Sequence, residues 1–360
     1  MRAGIVGLIS VASVALLTTW SSGAAARCSF WTNPPSAPQK TASVRTIWIF
    51  KSAYAGENAS RAAVAGAFAD AQVEVLDLPA NLETASAADF ASLPRPDLII
   101  HSFPLHGENA FLARLKIQIS PTPFLVNIGK PRTHRDQIDL IVLAQHYDPL
   151  PELAEQTLRP LGQPSRVRPE SLHAAHSKWD SVLSALPKPI ISLLIGGPAS
   201  QTQFSNEVAV ALGQRVKALA KQAGGSVVIT NSSRTPPAAM QALLEQMSGV
   251  PFLFHDVKTE EENPYLGFLA HSNFVVVTGD SGSMMSDAAS TGLPLYIFAP
   301  EPILEIQHRR LILQLIDSGR ARILGDTLEN WSYRPLNVAT EIQLAIERRM
   351  NCRQQLSVPQ

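Results

Sequence analysis

The chain reads as an α/β protein of two Rossmann-like halves, each a parallel sheet flanked by helices. Three observations predict this. Short runs rich in Ile and Val alternate with longer segments of helical period. A second such series follows a proline-rich stretch. The length of 360 residues at 45% hydrophobic content exceeds what one core ordinarily holds. Thirty Lys and Arg balance thirty Asp and Glu, so no overall field attracts nucleic acid or anionic lipid, and any anion site must be local.

Met1-Arg2, an apolar run over 3–17 and Ala24-Ala25-Ala26 make residues 1–26 a signal peptide cut after Ala26, or a retained membrane anchor. The protein is then exported or membrane-associated through its N-terminus; a start codon assigned too far upstream would make it cytoplasmic. Residues 27–43 carry three prolines and read as a linker. Cys28 and Cys352 lack metal or redox spacing and read as ordinary thiols.

Residues 44–160 form the N-terminal half, with strands expected at 46–50, 98–101, 124–128 and 138–143 and helices at 60–71 and 108–115. Residues 161–189, dense in proline, connect the halves. The C-terminal half, 190–334, has strands at 190–195, 226–230, 252–255, 274–278 and 295–298. Its helix over 206–223 is closed by Gly224-Gly225. Helical period returns over 303–318 and 336–350, and residues 335–360 are a C-terminal helix and tail.

Open α/β sheets bind ligands beyond the carboxyl ends of their strands, which directs attention to three loops of the second half. In "LLIGGPAS", Gly196 and Gly197 allow close approach to the backbone, with Ser200, Gln201 and Thr202 supplying polar groups, although a tight strand-to-helix turn needs the same glycines. In "VVITNSSRTPP", Thr235 is the expected N-cap with Pro236 at N1, leaving Asn231, Ser232, Ser233 and Arg234 on the loop. Arg234 suits a phosphate or a solvated surface equally. In "VVVTGDSGSMMSDAA", small residues precede a helix starting near Met284, which makes an anion site from free N–H groups and the helix dipole. Asp287 can accept hydrogen bonds from sugar hydroxyls.

A serine-hydrolase reading of Ser281 fails on pattern: a nucleophile elbow needs glycine where Ser283 stands, and His308 is the only histidine in hydrolase order. His173 and His176 lack a third metal ligand and read as a polar helix face. Glu260-Glu261-Glu262 reads as a solvated charge run.

The stretch Asn263 to Phe298, with "LLIGG", "TNSSRTP" and "ENWSYRPLN" in the same order, resembles the mitochondrial fission "elongated mitochondria" proteins and their bacterial relatives. The likeness runs from about Ile47 to Ile346 and is strong after Ile190. It implies a GT-B-like architecture, two facing Rossmann-type domains with a cleft between them, as in glycosyltransferases that use nucleotide sugars. Carried over by position, Gly196, Gly197, Asn231, Ser232, Arg234, Thr235, Asp280, Ser281, Ser283 and Asp287 would line the donor side. Asn263 and Tyr265 belong to the same block, and Tyr265 also suits core packing. The N-terminal half departs from the family: "KSAYAGENAS" keeps only Ala55-Gly56 and Glu57-Asn58 of its opening block, and "HSFPLHGEN" stands in place of a Gly/Arg-rich loop.

A transferase needs a charge clamp on the leaving diphosphate, here Arg234 and the helix start at Ser283, and a base near the acceptor hydroxyl. His101, His106, Glu57 and Glu108 are available for the base, and His106 is the choice. No cofactor or metal is expected, the nucleotide sugar being a co-substrate and the acceptor unknown. The alternative is a non-catalytic scaffold of the same fold that acts through a binding partner.

Overall fold

The computed structural model describes residues 44–52, 55–102, 107–199 and 202–357. The signal or anchor, the linker and His106 lie outside them.

The first sheet holds β1 (Thr46–Phe50), β2 (Gln72–Leu76), β3 (Leu98–Ser102), β4 (Phe124–Ile128), β5 (Leu140–Val142) and β6 (Thr157–Leu158), ordered β2-β1-β3-β4-β5-β6. The second holds β7 (Ile190–Leu194), β8 (Ser226–Thr230), β9 (Phe252–His255), β10 (Phe274–Thr278), β11 (Leu295–Phe298) and β12 (Ala321–Ile323), ordered β12-β11-β10-β7-β8-β9. Every pairing is parallel, with Ile47 beside Leu98 and Leu193 beside Val276. The central strands are buried along their whole length because helices cover both faces, which is why they read as unbroken apolar runs.

Three helices flank the connection and the first sheet: α1 (Ala55–Ala65), α2 (Glu108–Gln118) and α3 (Pro169–Leu183). The second half adds α4 (Asn206–Ala223), α5 (Pro237–Glu245), α6 (Tyr265–His271), α7 (Gly282–Ala289), α8 (Ile306–Asp317) and α9 (Val338–Ser357). Helix α1 starts earlier than expected and ends at Ala65, where Gly66 leads into a turn whose Phe68 is buried and so mimics helical period. The connecting segment holds the fifteen-residue α3, because Pro169 sits at its first turn, where a missing N–H costs nothing. Thr235 does not cap α5: Pro236 occupies the cap position without a side-chain bond. Cys352 is disulfide-bonded and therefore not the free thiol expected.

The halves are joined at several points, among them helix α9, the crossing segment and an Arg310–Asp148 ion pair at 2.6 Å. Helix α9 returns to the first, burying Ile342 and Ile346 in a cluster with Ile47, Leu98 and Val126, while Arg349 donates to the Asp139 carbonyl at 3.1 Å. The crossing segment is seated on α7: the Gln163 N–H donates to Ser286 Oγ at 2.9 Å, and Ser165 Oγ donates to Asp287. Gly162 makes this approach with φ +80, and a Cβ there would meet Ser286 Oγ at 2.9 Å. Gly319 also has positive φ but nothing within 4 Å. Gly162→Ala is therefore expected to lose ~2–4 kcal/mol of stability and Gly319→Ala only ~1, since the second carries backbone strain alone. Paired thermal melts check this; equal losses would mean the crossing segment is not clamped.

Candidate functional site

Each sheet reverses its strand order once, between β1 and β3 in the first and between β7 and β10 in the second. At such a switch point the flanking loops part to opposite faces and open a crevice at the carboxyl ends of the strands. Both crevices open on one cavity of about 1510 Å3. Glu57, Ser60 and Ser102 lie on its N-terminal wall; Asn231, Ser232, Arg234, Ser281, Ser283 and Asp287 lie on the C-terminal wall.

Behind the C-terminal wall, Thr278 Oγ1 accepts the Gly196 N–H at 2.7 Å and donates to Asp280 Oδ1 at 2.6 Å, joining the β7 and β10 loops. Thr235 Oγ1 donates to the Gly196 carbonyl and accepts the Ser232 N–H at 3.0 Å. A Cβ on Gly196 would collide with Asp280, and one on Gly197 would come within 2.5 Å of the Arg234 carbonyl carbon. Gly196, Gly197, Thr235 and Asp280 thus hold the loops together and do not line the cavity. Asp280 is fully buried, and that burial raises its pKa.

Of the lining residues, Asn231 has its amide engaged, donating to Asp256 Oδ1 at 3.0 Å and accepting the Val257 N–H at 2.9 Å. Asp287 accepts at one oxygen from Ser165 and at the other from Tyr265 Oη at 3.0 Å, so it anchors the crossing segment from its place on the cavity wall. Ser281 Oγ caps α7, accepting the Met284 N–H at 3.4 Å, and lies 3.4 Å from Ser283 Oγ. Neither partner is a histidine, in keeping with rejection of the hydrolase reading. The N–H groups of Gly282 and Ser283, in the first turn, have no intrahelical acceptor by helix geometry. Arg234 is exposed on the same cavity, its guanidinium 3.4 Å from the Pro198 carbonyl.

On the opposite wall Glu57 Oε2 accepts from Ser52 Oγ at 2.7 Å and from Arg61 at 3.1 Å. Burial nonetheless raises its pKa. Arg61 is fully buried and also donates to Ser102 Oγ at 2.7 Å. His101 and Glu108, 3.4 Å apart, are buried behind this wall and do not line the cavity. His106 lies outside the described residues. Among the described candidates for a base, Glu57 alone lines the cavity.

A family model described as mitochondrial fission ELM1 matches residues 30–350. The chain belongs to that family. It is 30% identical over 261 residues to the mitochondrial fission protein ELM1 of Arabidopsis thaliana, covering 65% of this chain and 60% of that protein. It is 31% identical over 159 residues to an uncharacterized protein of Rickettsia prowazekii, covering 43% and 45%. The chain thus spans about half the length of the curated relatives it matches. Similar solved structures include the UDP-GlcNAc 2-epimerase of Neisseria meningitidis bound to UDP-GlcNAc, at 12% identity and TM-score 0.45, covering 85% of this chain and 94% of that one. A family 9 glycosyl transferase from Veillonella parvula has 12% identity and TM-score 0.45, covering 86% and 95%. At those scores the fold class rests on this chain's own sheets, which are GT-B-like: two Rossmann-type domains facing one cleft. Among the described residues no helix is long and apolar enough to cross a membrane.

Burial, then the charge of Arg61, lowers the His101 pKa to about 3; burial, then His308 and Arg159, lowers that of His146 to about 4. Both stay neutral in the fold while the unfolded chain takes up protons below about 6.5. Their contribution is complete above pH 6.5 and is lost as pH falls toward 4 and 3. A His101→Gln, His146→Gln double variant is expected to lose less stability than wild type between pH 7 and 4.5 in denaturant titrations. Parallel profiles would contradict the burial of neutral imidazoles.

Proposed function

We propose that the cleft binds the diphosphate of a nucleotide sugar and serves metal-independent glycosyl transfer to an acceptor held against the N-terminal wall. The observation that carries this is the meeting of two switch-point crevices, one bearing Arg234 and the α7 N-terminus, the other bearing Glu57.

The acceptor oxygen attacks the anomeric carbon and gives its proton to a base on the N-terminal wall, Glu57 among the described residues, with His106 the choice outside them. The bond from that carbon to the diphosphate oxygen breaks, and its electron pair leaves with the diphosphate. Negative charge then grows where Arg234 and the Gly282 and Ser283 N–H groups can stabilise it. Partial burial lifts the Glu57 pKa toward working pH, as a proton acceptor requires. Asn231, Ser232, Ser281 and Ser283 shape the donor wall. Gly196, Gly197, Thr235 and Asp280 support it from behind, and Asp287 on the wall ties it to the crossing segment.

The test is a thermal-shift screen of the protein against nucleoside diphosphates and nucleotide sugars, UDP and UDP-GlcNAc among them. A ligand at ~100 times its Kd adds about 2.7 kcal/mol to stability. One base class is expected to raise the melting temperature, and Arg234→Ala, an exposed substitution, to abolish that rise without lowering the ligand-free value. No rise with any nucleotide would remove the transferase assignment and leave the partner-binding scaffold. A rise unchanged by Arg234→Ala would place the nucleotide elsewhere.

A further inference from the structure

Helix α3 carries His176 and Asp180 one turn apart, on the same face. Helix α6 packs against it, with its last residue, His271, at this face. His271 is buried, and its Nδ1 lies 2.9 Å from the Gly267 carbonyl oxygen. A carbonyl only accepts, so Nδ1 carries a proton, and in the neutral imidazole Nε2 then presents a lone pair. That lone pair has no hydrogen-bond partner among the described residues and faces Asp180 Oδ1 at 3.6 Å. A buried ring nitrogen thus faces a carboxylate oxygen, an arrangement that costs free energy unless a proton or a metal cation lies between them. His176 Nδ1 stands 4.0 Å from the same carboxylate oxygen, and its ring stacks on His271 at 4.0 Å between centroids.

We propose that His176, Asp180 and His271 form a site for one divalent transition-metal cation of the zinc class, which staples the connecting helix α3 to α6.

One ligand atom from each residue lies within 4.8 Å of the others. Zinc bonds of ~2.0–2.1 Å in a tetrahedral arrangement put neighbouring ligand atoms about 3.4 Å apart, so the Asp180–His271 pair already stands near its bound separation. His176 is exposed and free to tilt out of the stack and close the set. The Gly267 carbonyl fixes the His271 tautomer, and Ser184 Oγ donates to Asp180; such outer partners orient metal ligands. Two imidazoles and one carboxylate suit zinc, nickel or copper, whereas magnesium and calcium require oxygen donors. The exposed side of the cluster leaves the fourth position to water.

In the sequence His173 and His176 lack a third ligand. The fold supplies two, Asp180 from the next helical turn and His271 from ninety-odd residues away, and leaves His173 out. The staple matters to the cleft because α6 also begins with Tyr265, which holds Asp287 and with it the crossing segment. The metal site does not depend on nucleotide binding.

The test uses the full chain, without a histidine tag, stripped with a chelator and titrated with zinc chloride by calorimetry and elemental analysis. One zinc per chain is expected, with a rise in melting temperature that magnesium at equal concentration does not produce. His176→Ala and Asp180→Asn change exposed residues and are expected to keep the fold while weakening zinc binding at least ~10-fold, since loss of even an outer-shell partner costs that much. His173→Ala, one turn away, is expected to bind as wild type. Absence of stoichiometric zinc at micromolar concentration, or zinc binding unchanged in His176→Ala, would overturn the assignment.

Discussion

Thr278 Oγ1 holds the C-terminal half of the cleft together. It accepts from Gly196 on one side of the switch point and donates to Asp280 on the other, so a single hydroxyl ties two loops that the strand order drives apart. Glycine is required at 196 because any side chain would displace the Asp280 carboxyl, and at 197 because the Arg234 backbone passes there. These small residues therefore act as spacers. They let the β7, β8 and β10 loops come close enough for Arg234 and the start of α7 to share one wall.

The second constraint is the clamp between the halves. Asp287 stands on α7, but its carboxyl is held by Ser165 of the crossing segment and Tyr265 of α6. A residue that looked like a sugar ligand is thus the joint that fixes the connecting segment to the donor wall. Helix α9 makes the return connection through Ile342, Ile346 and Arg349. Because chain crosses between the halves twice, the walls of the cleft are set by packed contacts as well as by linker length.

The legible part of the fold was the part buried on both faces. Strands such as Thr46–Phe50 and Phe274–Thr278 announce themselves because helices on either side favour apolar residues along nearly their whole length. The edge strands β2 and β12 are largely exposed, and β6 has only two residues, so they carry no such signature. Helix α3 was hidden by prolines that a helix tolerates in its first turn. The loops of the donor wall were legible from glycine, hydroxyl and arginine content. Which residues line the cavity and which stand behind it was not, since that depends on contacts such as Thr235 with Gly196, which no local pattern encodes. On the other wall, Glu57 and His101 look equally able to move a proton in the sequence. Burial separates them, leaving Glu57 on the cavity and sealing His101 behind it.

One nucleotide site made by two switch-point crevices predicts where a diphosphate sits. The most direct measurement is a crystal structure of the protein with a saturating nucleoside diphosphate. Phosphate oxygens are expected within about 3 Å of the Arg234 guanidinium and the Gly282 or Ser283 N–H, with Glu57 across the cleft. A diphosphate seated elsewhere, for example in the separate cavity lined by Arg132, Arg135, Arg349 and Arg353, would contradict it.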